Sequence, residues 1–267
     1  MTLTSDWDGQ LYAANTAHHR RYDDVVLSTL AVPRHGQVLD LGCGVGELTA
    51  ALAAMVPDGA VLGVDASPDM VDTARRRATA PNVVFTTALA QRLAEVTEAG
   101  TFDAVVSVAA LHWIPATDHP GVLAGIARAL RPGGVFRASF GGAGQIEPLR
   151  AVLDAESTAL GGGADPWFFP DPERYAGLLA GAGLRTEPDG WVRLVRQRRS
   201  FPDAASFTGW LRSQVLIAYD AVLPAGAVTE FRDRAVRRAL AELGRPDGSY
   251  DQDFVRLDLR AVLPITL

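Results

Sequence analysis

Val38-Leu39-Asp40-Leu41-Gly42-Cys43-Gly44-Val45-Gly46 is a short apolar run carrying one acid, followed by three glycines at alternate positions. The run reads as a buried parallel strand. The glycines read as a turn in which the main chain passes close to a ligand, because only Gly accepts both the dihedral angles and the approach. A helix opening near Glu47 puts Leu48, Ala51, Leu52 and Met55 on one face. Strand, glycine turn and helix in that order hold a nucleotide-like group at the top of an open sheet.

The glycine spacing narrows the ligand. The phosphate-binding fingerprint is Gly-x-Gly-x-x-Gly, whereas this turn is Gly-x-Gly-x-Gly. No Lys-Ser or Lys-Thr pair follows it, so it is not a P-loop. Glu47 at the helix N-terminus would repel a pyrophosphate. The pattern fits a cofactor with a ribose and an amino-acid tail but no phosphates. Val61-Leu62-Gly63-Val64-Asp65 is a second apolar strand ending in an acid, roughly 20 residues further on, where a ribose-binding carboxylate stands in such folds. A carboxylate accepts two hydrogen bonds from a cis-diol. In Ala66-Ser67-Pro68-Asp69-Met70, Ser67 can cap the next helix and Pro68 can fill its first turn. Met70 would then wall an adenine ring.

With these residues the chain resembles the class I S-adenosylmethionine-dependent methyltransferases. Leu39 to Gly46 is similar to their first motif and Gly63 to Met70 to their second. Phe102-Asp103-Ala104-Val105-Val106-Ser107 and Leu130-Arg131-Pro132-Gly133-Gly134 are similar to the later strand landmarks. The four occur in order over about residues 36 to 140. The resemblance implies an α/β fold: a Rossmann-like, open, seven-stranded, mostly parallel sheet with helices on both faces. It implies S-adenosyl-L-methionine as cofactor, held by Asp40, Gly42, Cys43, Gly44, Gly46, Asp65, Ala66 and Met70. Ala88, Leu89 and Val108, at later strand ends, complete the expected contacts.

Trp7-Asp8-Gly9-Gln10-Leu11-Tyr12-Ala13-Ala14-Asn15, with His19-Arg20, resembles the small-molecule methyltransferases related to trans-aconitate 2-methyltransferase. Leu111-His112-Trp113-Ile114-Pro115 and Trp210-Leu211-Arg212 are similar to later signatures of that group. By that resemblance Tyr12 would touch the amino-acid tail of the cofactor. Two departures stand out. The group usually has an Asp after the third strand for the adenine amino group, and Leu89 stands there. The loss of a hydrogen bond to a charged group weakens binding by ~1.5–3 kcal/mol. The Arg-Pro that often follows the Trp helix is also missing from Gln214-Val215-Leu216-Ile217-Ala218-Tyr219. An Arg is the natural clamp for a carboxylate, so its absence points away from a tricarboxylic acid and toward a more apolar acceptor.

Composition sets the remaining bounds. At 267 residues and 48% hydrophobic content the chain can bury a large core. With 25 basic and 31 acidic residues, net −6, it lacks the basic surplus that a nucleic-acid backbone would draw. Arg75-Arg76-Arg77 falls at a helix end, and Arg196, Arg198 and Arg199 read as a strand's solvent face. The single cysteine forms no internal disulfide and no metal site. No run is long enough for a membrane span and no export signal is visible, so a cytoplasmic protein with a small-molecule partner is expected.

Along the chain, strands are expected near 37–41, 60–65, 82–87, 102–108, 134–140, 191–201 and 254–259. Helices are expected at 47–56, 69–79, 120–130, 145–160, 172–182, 203–223 and 225–243, after helical spacing through about 11–30. This divides the chain into an N-terminal helical lid (1–33) and a core (34–201 with 251–267, including a loop and helix insertion at 145–172). A helical cap over the acceptor site (202–250), inserted near the C-terminus, completes it.

Methyl transfer is an in-line displacement at a sulfonium methyl, so the enzyme chiefly aligns the reactants and excludes water. A general base helps when the acceptor is a hydroxyl or a carbon acid. His112, just past a strand end, is the first candidate, with His18 and His19 on the N-terminal helix. Trp113, Trp167, Phe168, Phe169, Trp210 and Tyr219 are candidates for the acceptor pocket. The leading expectation is methylation of a small, apolar or weakly acidic metabolite at oxygen or carbon. The alternative keeps fold and cofactor for a non-methylating reaction such as a cyclisation or rearrangement. A non-catalytic binding partner on the same scaffold is the third reading.

Overall fold

The computed structural model describes residues 20–265 apart from 187. In chain order the elements are α1 (Arg20–Ser28), β1 (Gln37–Leu41), α2 (Glu47–Met55), β2 (Ala60–Asp65), α3 (Pro68–Arg77), β3 (Val83–Thr87) and β4 (Phe102–Val108). They continue as α4 (His119–Ala129), β5 (Leu130–Gly141), α5 (Glu147–Ala159), α6 (Pro172–Gly181), β6 (Trp191–Phe201), α7 (Ala204–Trp210), α8 (Val228–Leu243) and β7 (Tyr250–Val262).

The seven strands form one sheet in the order β3-β2-β1-β4-β5-β7-β6. β3 through β5 are parallel neighbours, and β7 runs antiparallel to both β5 and β6. The chain order reverses between β1 and β4, which is where an α/β sheet opens a crevice beyond its strand ends. Val38, Leu39 and Leu41 of β1 and Val105 and Val106 of β4, the central strands, are buried on both faces, which is why these segments read as continuous apolar runs. One core lies between the sheet, α4 and α6, around Phe136, Phe140, Leu123 and Tyr175. A second lies on the opposite face, where α1 and α2 bring Val26, Leu30, Leu48 and Leu52 onto Val38, Val61 and Ala104.

Helix starts follow their caps. Ser67 accepts from Met70 N at 3.3 Å with Pro68 in the first turn, and Asp171 accepts from Arg174 N at 2.8 Å. Arg137, buried in the middle of β5, pairs with Asp258 of β7 at 2.6 Å and donates to Thr29 Oγ1 at 3.0 Å, which fixes the end of α1 on the sheet.

A third core sits at the edge of the sheet, where Phe201 of β6 and Tyr250 and Phe254 of β7 join the C-terminal helices. α5, α7 and α8 pack around Phe207, Trp210, Tyr219 and Phe231. The segment expected as one helix over 203–223 is broken into three: α7, a wide π-turn at 211–215, then a 3₁₀ stretch to Ala221. Ser213 Oγ donates back to Gly209 O at 2.8 Å, the kind of competition that loosens a helical ladder. Arg199 departs from the solvent-face expectation. Its guanidinium lies 4.2 Å from the Phe201 ring centroid, near Trp210 and Phe254 as well. β5 also starts earlier than its apolar run suggested, at Leu130 directly after α4. Among the described residues no helix is long and apolar enough to cross a membrane.

Candidate functional site

The glycine turn hangs on β2. Gly42 N and Cys43 N both donate to Val64 O, at 2.7 and 3.0 Å, and Gly46 N closes the turn on Cys43 O at 3.0 Å. Gly42, Gly44 and Gly46 all have positive φ. They are glycines for different reasons. A Cβ on Gly42 would stand 2.2 Å from the Ala110 methyl, and one on Gly46 would strike the Phe85 ring at 2.9 Å. Among the described residues, a Cβ on Gly44 would meet nothing within 4 Å. Two glycines therefore seat the turn against its neighbours, and the middle one, at φ +52, looks onto open space.

Asp65 stands beside that opening. One carboxylate oxygen accepts from Gly44 N at 2.9 Å and the other from Ser67 N at 2.9 Å. A carboxylate offers about four acceptor sites, so lone pairs remain for a diol. Burial raises the Asp65 pKa, against the pull of these backbone donors. Asp40 lies beneath the turn and not at its surface. It is buried and accepts from Thr49 Oγ1 of α2 at 2.6 Å. Burial lifts its pKa to about 7, aided by the charges of Asp23 and Asp65. Asp23 on α1 is raised to about 6, mainly by burial, with Arg256 pulling the other way. Three carboxylates thus bias this end of the sheet toward a cation. A cavity of about 470 Å³ lies behind the turn, between α1, α2 and α3, with Asp23, Glu47, Arg77 and Phe85 in its wall.

The other expected cofactor residues fall around the same strand ends. Ala66 is exposed next to Asp65, and Met70 is buried on the first turn of α3. Ala88 N donates to Asp65 O at 2.9 Å, and Leu89, half-buried, precedes the 3₁₀ turn of 90–95. Val108 ends β4. Cys43 is buried and its thiol pKa is pushed up by burial, so it is not a nucleophile. Tyr12, His18 and His19 lie outside the described residues.

Two residues at this edge were missed from sequence. Ala109 has φ 56, a left-handed conformation that costs a non-glycine residue about 1–2 kcal/mol. Its N–H donates to Ser139 O at 2.8 Å, the same carbonyl that receives Arg256 of β7. This kink presses Ala110 against Gly42 and starts the turn that carries His112. An alanine gives no sequence signal of positive φ. Phe85 was also unremarked, although its ring backs both Gly46 and Gly63.

His112 sits on that turn, half-buried, and its Nδ1 accepts from Gly141 N at 3.4 Å. In the neutral ring this leaves the proton on Nε2, which makes His112 a donor in this arrangement. A base role would require the long bond to Gly141 to be given up.

Beside it stands a contiguous set of rings. His112 and Trp113 are 5.5 Å apart, His112 and Phe169 5.6 Å, Trp113 and Trp167 5.6 Å, and Trp167 and Phe169 5.6 Å. Tyr219 meets the Trp167 ring edge-on at 5.9 Å. The loop carrying Trp167 is held by Phe168 N donating to His112 O at 3.0 Å and Trp167 N to Asp165 at 3.1 Å. Arg150 pairs with Asp165 at 2.6 Å and lies over the Phe169 ring at 5.0 Å. The Tyr219 hydroxyl donates to Asp154 at 2.7 Å. Among the described residues the buried Trp167 indole N–H has no partner, at a cost of about 1–3 kcal/mol.

Two expected pocket residues are elsewhere, and a third, Tyr219, is fully buried in the third core behind Trp167. Phe168 is turned into the core below, 4.6 Å from the ring of buried His119. Trp210 is stacked on Phe201 at 4.9 Å inside the third core. Alternation along an extended loop explains the first: neighbouring side chains point to opposite sides. The second follows from burial of α7's apolar face.

Residues 38–134 match the model of a methyltransferase domain. The trans-aconitate 2-methyltransferase of Deinococcus radiodurans is 34% identical over 214 residues, covering 74% of this chain and 76% of that protein. The chain belongs to the class I S-adenosylmethionine-dependent methyltransferases. A second relative, the trans-aconitate 2-methyltransferase of Rhodococcus jostii, shares 30% identity with this methyltransferase and covers 94% of it and 97% of itself. Among solved structures, the YcgJ protein of Bacillus subtilis superposes with a TM-score of 0.65 at 16% identity, over 93% of this chain and 100% of that one, and shares the fold. The methyltransferase is therefore an enzyme on a Rossmann-like sheet.

Proposed function

We propose that this methyltransferase binds S-adenosyl-L-methionine between the glycine turn and Asp65 and transfers its methyl group to an oxygen or carbon of a small, apolar or weakly acidic metabolite. The observation that carries this reading is Gly44. It has the one glycine position in the turn that opens onto space, and the Asp65 carboxylate stands at its rim. Bound cofactor would supply an electrophilic methyl on a cationic sulfur. Asp65 would accept from the ribose hydroxyls, with Gly42, Cys43, Gly44 and Gly46 giving main-chain contacts. Asp40 and Asp23 would lower the energy of a cationic ligand nearby. Ala66, Met70, Ala88, Leu89 and Val108 would enclose the adenine and sulfur side. Tyr12 would meet the amino-acid tail.

His112, Trp113, Trp167 and Phe169 would receive the acceptor, with the fully buried Tyr219 backing Trp167 edge-on. His112 would orient it by donating from Nε2, and His19 is retained as a second candidate. Phe168 and Trp210 support that wall from behind. The proposal also takes 1–33 as a lid, 202–250 as a cap and the cytoplasm as location. The relatives are named for trans-aconitate, but Arg150 here is already neutralised by Asp165, and no Arg-Pro follows the Trp helix. This favours a less charged acceptor.

Calorimetric titration with S-adenosylmethionine and with S-adenosylhomocysteine tests the reading. Saturable binding of both is expected. No heat and no thermal shift with either would overturn it. A metabolite screen for release of S-adenosylhomocysteine then separates methyl transfer from a non-methylating use of the cofactor.

A further inference from the structure

We infer that the acceptor is a flat, conjugated molecule bearing a carbonyl oxygen, and that the indole N–H of Trp167 donates to that oxygen. This rests on the proposal that the ring set beside His112 is the acceptor site, and it names the substrate class of that site.

The ring set is built differently from the two cores beside it. Phe168 and Trp210 are buried, whereas His112, Trp113, Trp167 and Phe169 are half-buried. Their contacts are offset and edge-on, at 27° for Trp167 on Phe169 and 73° for Trp113 on Trp167. Aromatic faces and edges arranged this way are complementary to a planar guest with its own π-system. A saturated guest would forfeit that part of the interaction.

The polar groups of the wall decide the rest. The Arg150 guanidinium gives two hydrogen bonds to Asp165, at 2.8 and 2.6 Å, so that pair brings no net charge. Asp165 also takes the Trp167 backbone N–H, and Asp154 takes the Tyr219 hydroxyl and the Asp165 backbone N–H. These groups hold one another. The Trp167 indole N–H is the group in this network left with no acceptor. An indole nitrogen only donates, and the large majority of buried side-chain polar atoms in native structures have a partner. Its neighbours close over it, so a guest that supplies its acceptor has to part the half-buried rings of Trp113, Trp167 and Phe169 as it enters. A carbonyl on a flat ring is such an acceptor. Several carboxylates would not be, because no unspent cation of the network answers them.

The test uses the full chain and three small probes. 4-Hydroxyacetophenone has the plane and the carbonyl, 4-ethylphenol lacks the carbonyl, and cyclohexyl methyl ketone lacks the plane. Each is titrated with and without S-adenosylhomocysteine, following tryptophan fluorescence and the indole ¹H–¹⁵N resonances. 4-Hydroxyacetophenone is expected to bind about 10-fold tighter than either other probe. One indole resonance should move downfield with it. Trp167→Phe keeps a ring and removes the donor, so that resonance should vanish and the advantage over 4-ethylphenol should be lost. Unchanged S-adenosylhomocysteine affinity shows that the variant is folded. If it fails to fold, the probe series and the indole shift in the native chain decide. Equal affinities for 4-hydroxyacetophenone and 4-ethylphenol, no saturable binding of the former, or an advantage that survives Trp167→Phe would overturn the inference. Nucleoside binding without probe discrimination sinks this inference and leaves the cofactor reading standing. Probe discrimination without nucleoside binding does the reverse.

Discussion

The glycine-turn edge, proposed to hold the cofactor, and the ring set lie side by side at one end of the sheet, but they are specified in different ways. At the cofactor edge the working groups are main-chain atoms and one acid, Asp65, and their positions follow from where strands end. In the ring set they are side chains from three separated segments, at 112–113, 150–169 and 219. The first is set by local sequence. The second is set by packing between segments that share no pattern. A change at the cofactor edge should therefore act through backbone geometry, and a change in the ring set through which way a side chain points.

The sharpest way to break that contrast is within Trp167-Phe168-Phe169. Phe168→Ala should cost about 3–5 kcal/mol of stability, because its ring is core. Phe169→Ala, on the half-buried side, should cost far less and weaken probe binding instead. Chemical denaturation of both variants reads this, and equal losses would erase the distinction.

The next effect belongs to the turn. Gly42→Ala places a methyl 2.2 Å from Ala110 at φ +79, so it should lose about 2 kcal/mol or more of stability together with nucleoside affinity. Gly44→Ala meets only the dihedral strain, since open space surrounds it. Thermal melts that rank Gly44→Ala as the worse of the two would contradict the assignment of the turn's two sides. Asp65→Ala should then weaken S-adenosylhomocysteine binding by about 10-fold or more without comparable unfolding. Unchanged affinity in calorimetry would mean the ribose is held elsewhere.

The sheet and the glycine turn beside Asp65 were legible because their signals are local. β1, β2 and β4 fall where the apolar runs ended, and the acids of β1 and β2 fall where those runs stop. Their depth was not legible. Asp40 points under α2 to Thr49, nine residues away, and nothing in the spacing distinguishes that from a surface contact. The kink at Ala109 was hidden because alanine usually avoids it. Phe168 and Trp210 were misplaced because an aromatic cluster in sequence does not say which ring turns inward. Arg150 and Asp165 were overlooked because their pairing joins a helix to a loop through the tertiary fold.

The smallest predicted effect tests the acids as a group. A raised carboxyl pKa means that the folded, unliganded protein holds protons that the unfolded chain has already lost. With Asp40 at about 7 and Asp23 at about 6, against an ordinary 3.8, unliganded stability should fall as pH rises from about 4 to 7. A cationic ligand favours the charged carboxylates, so its binding should release protons in that same range. Affinity for S-adenosylmethionine, whose sulfonium stays positive at every pH, should rise about 5-fold from about pH 6 to 8 and level off above. Titrations in buffers of different ionisation enthalpy read the released proton directly. A flat profile would remove Asp40 and Asp23 from the account.

The most direct measurement is a crystal structure of the full chain grown with S-adenosylhomocysteine. The account predicts a nucleoside lying over Gly44, with both ribose hydroxyls within hydrogen-bond distance of the Asp65 carboxylate and the sulfur turned toward the rings beside His112. A nucleoside bound away from Asp65, or a crevice closed by protein side chains at saturating ligand, would contradict it.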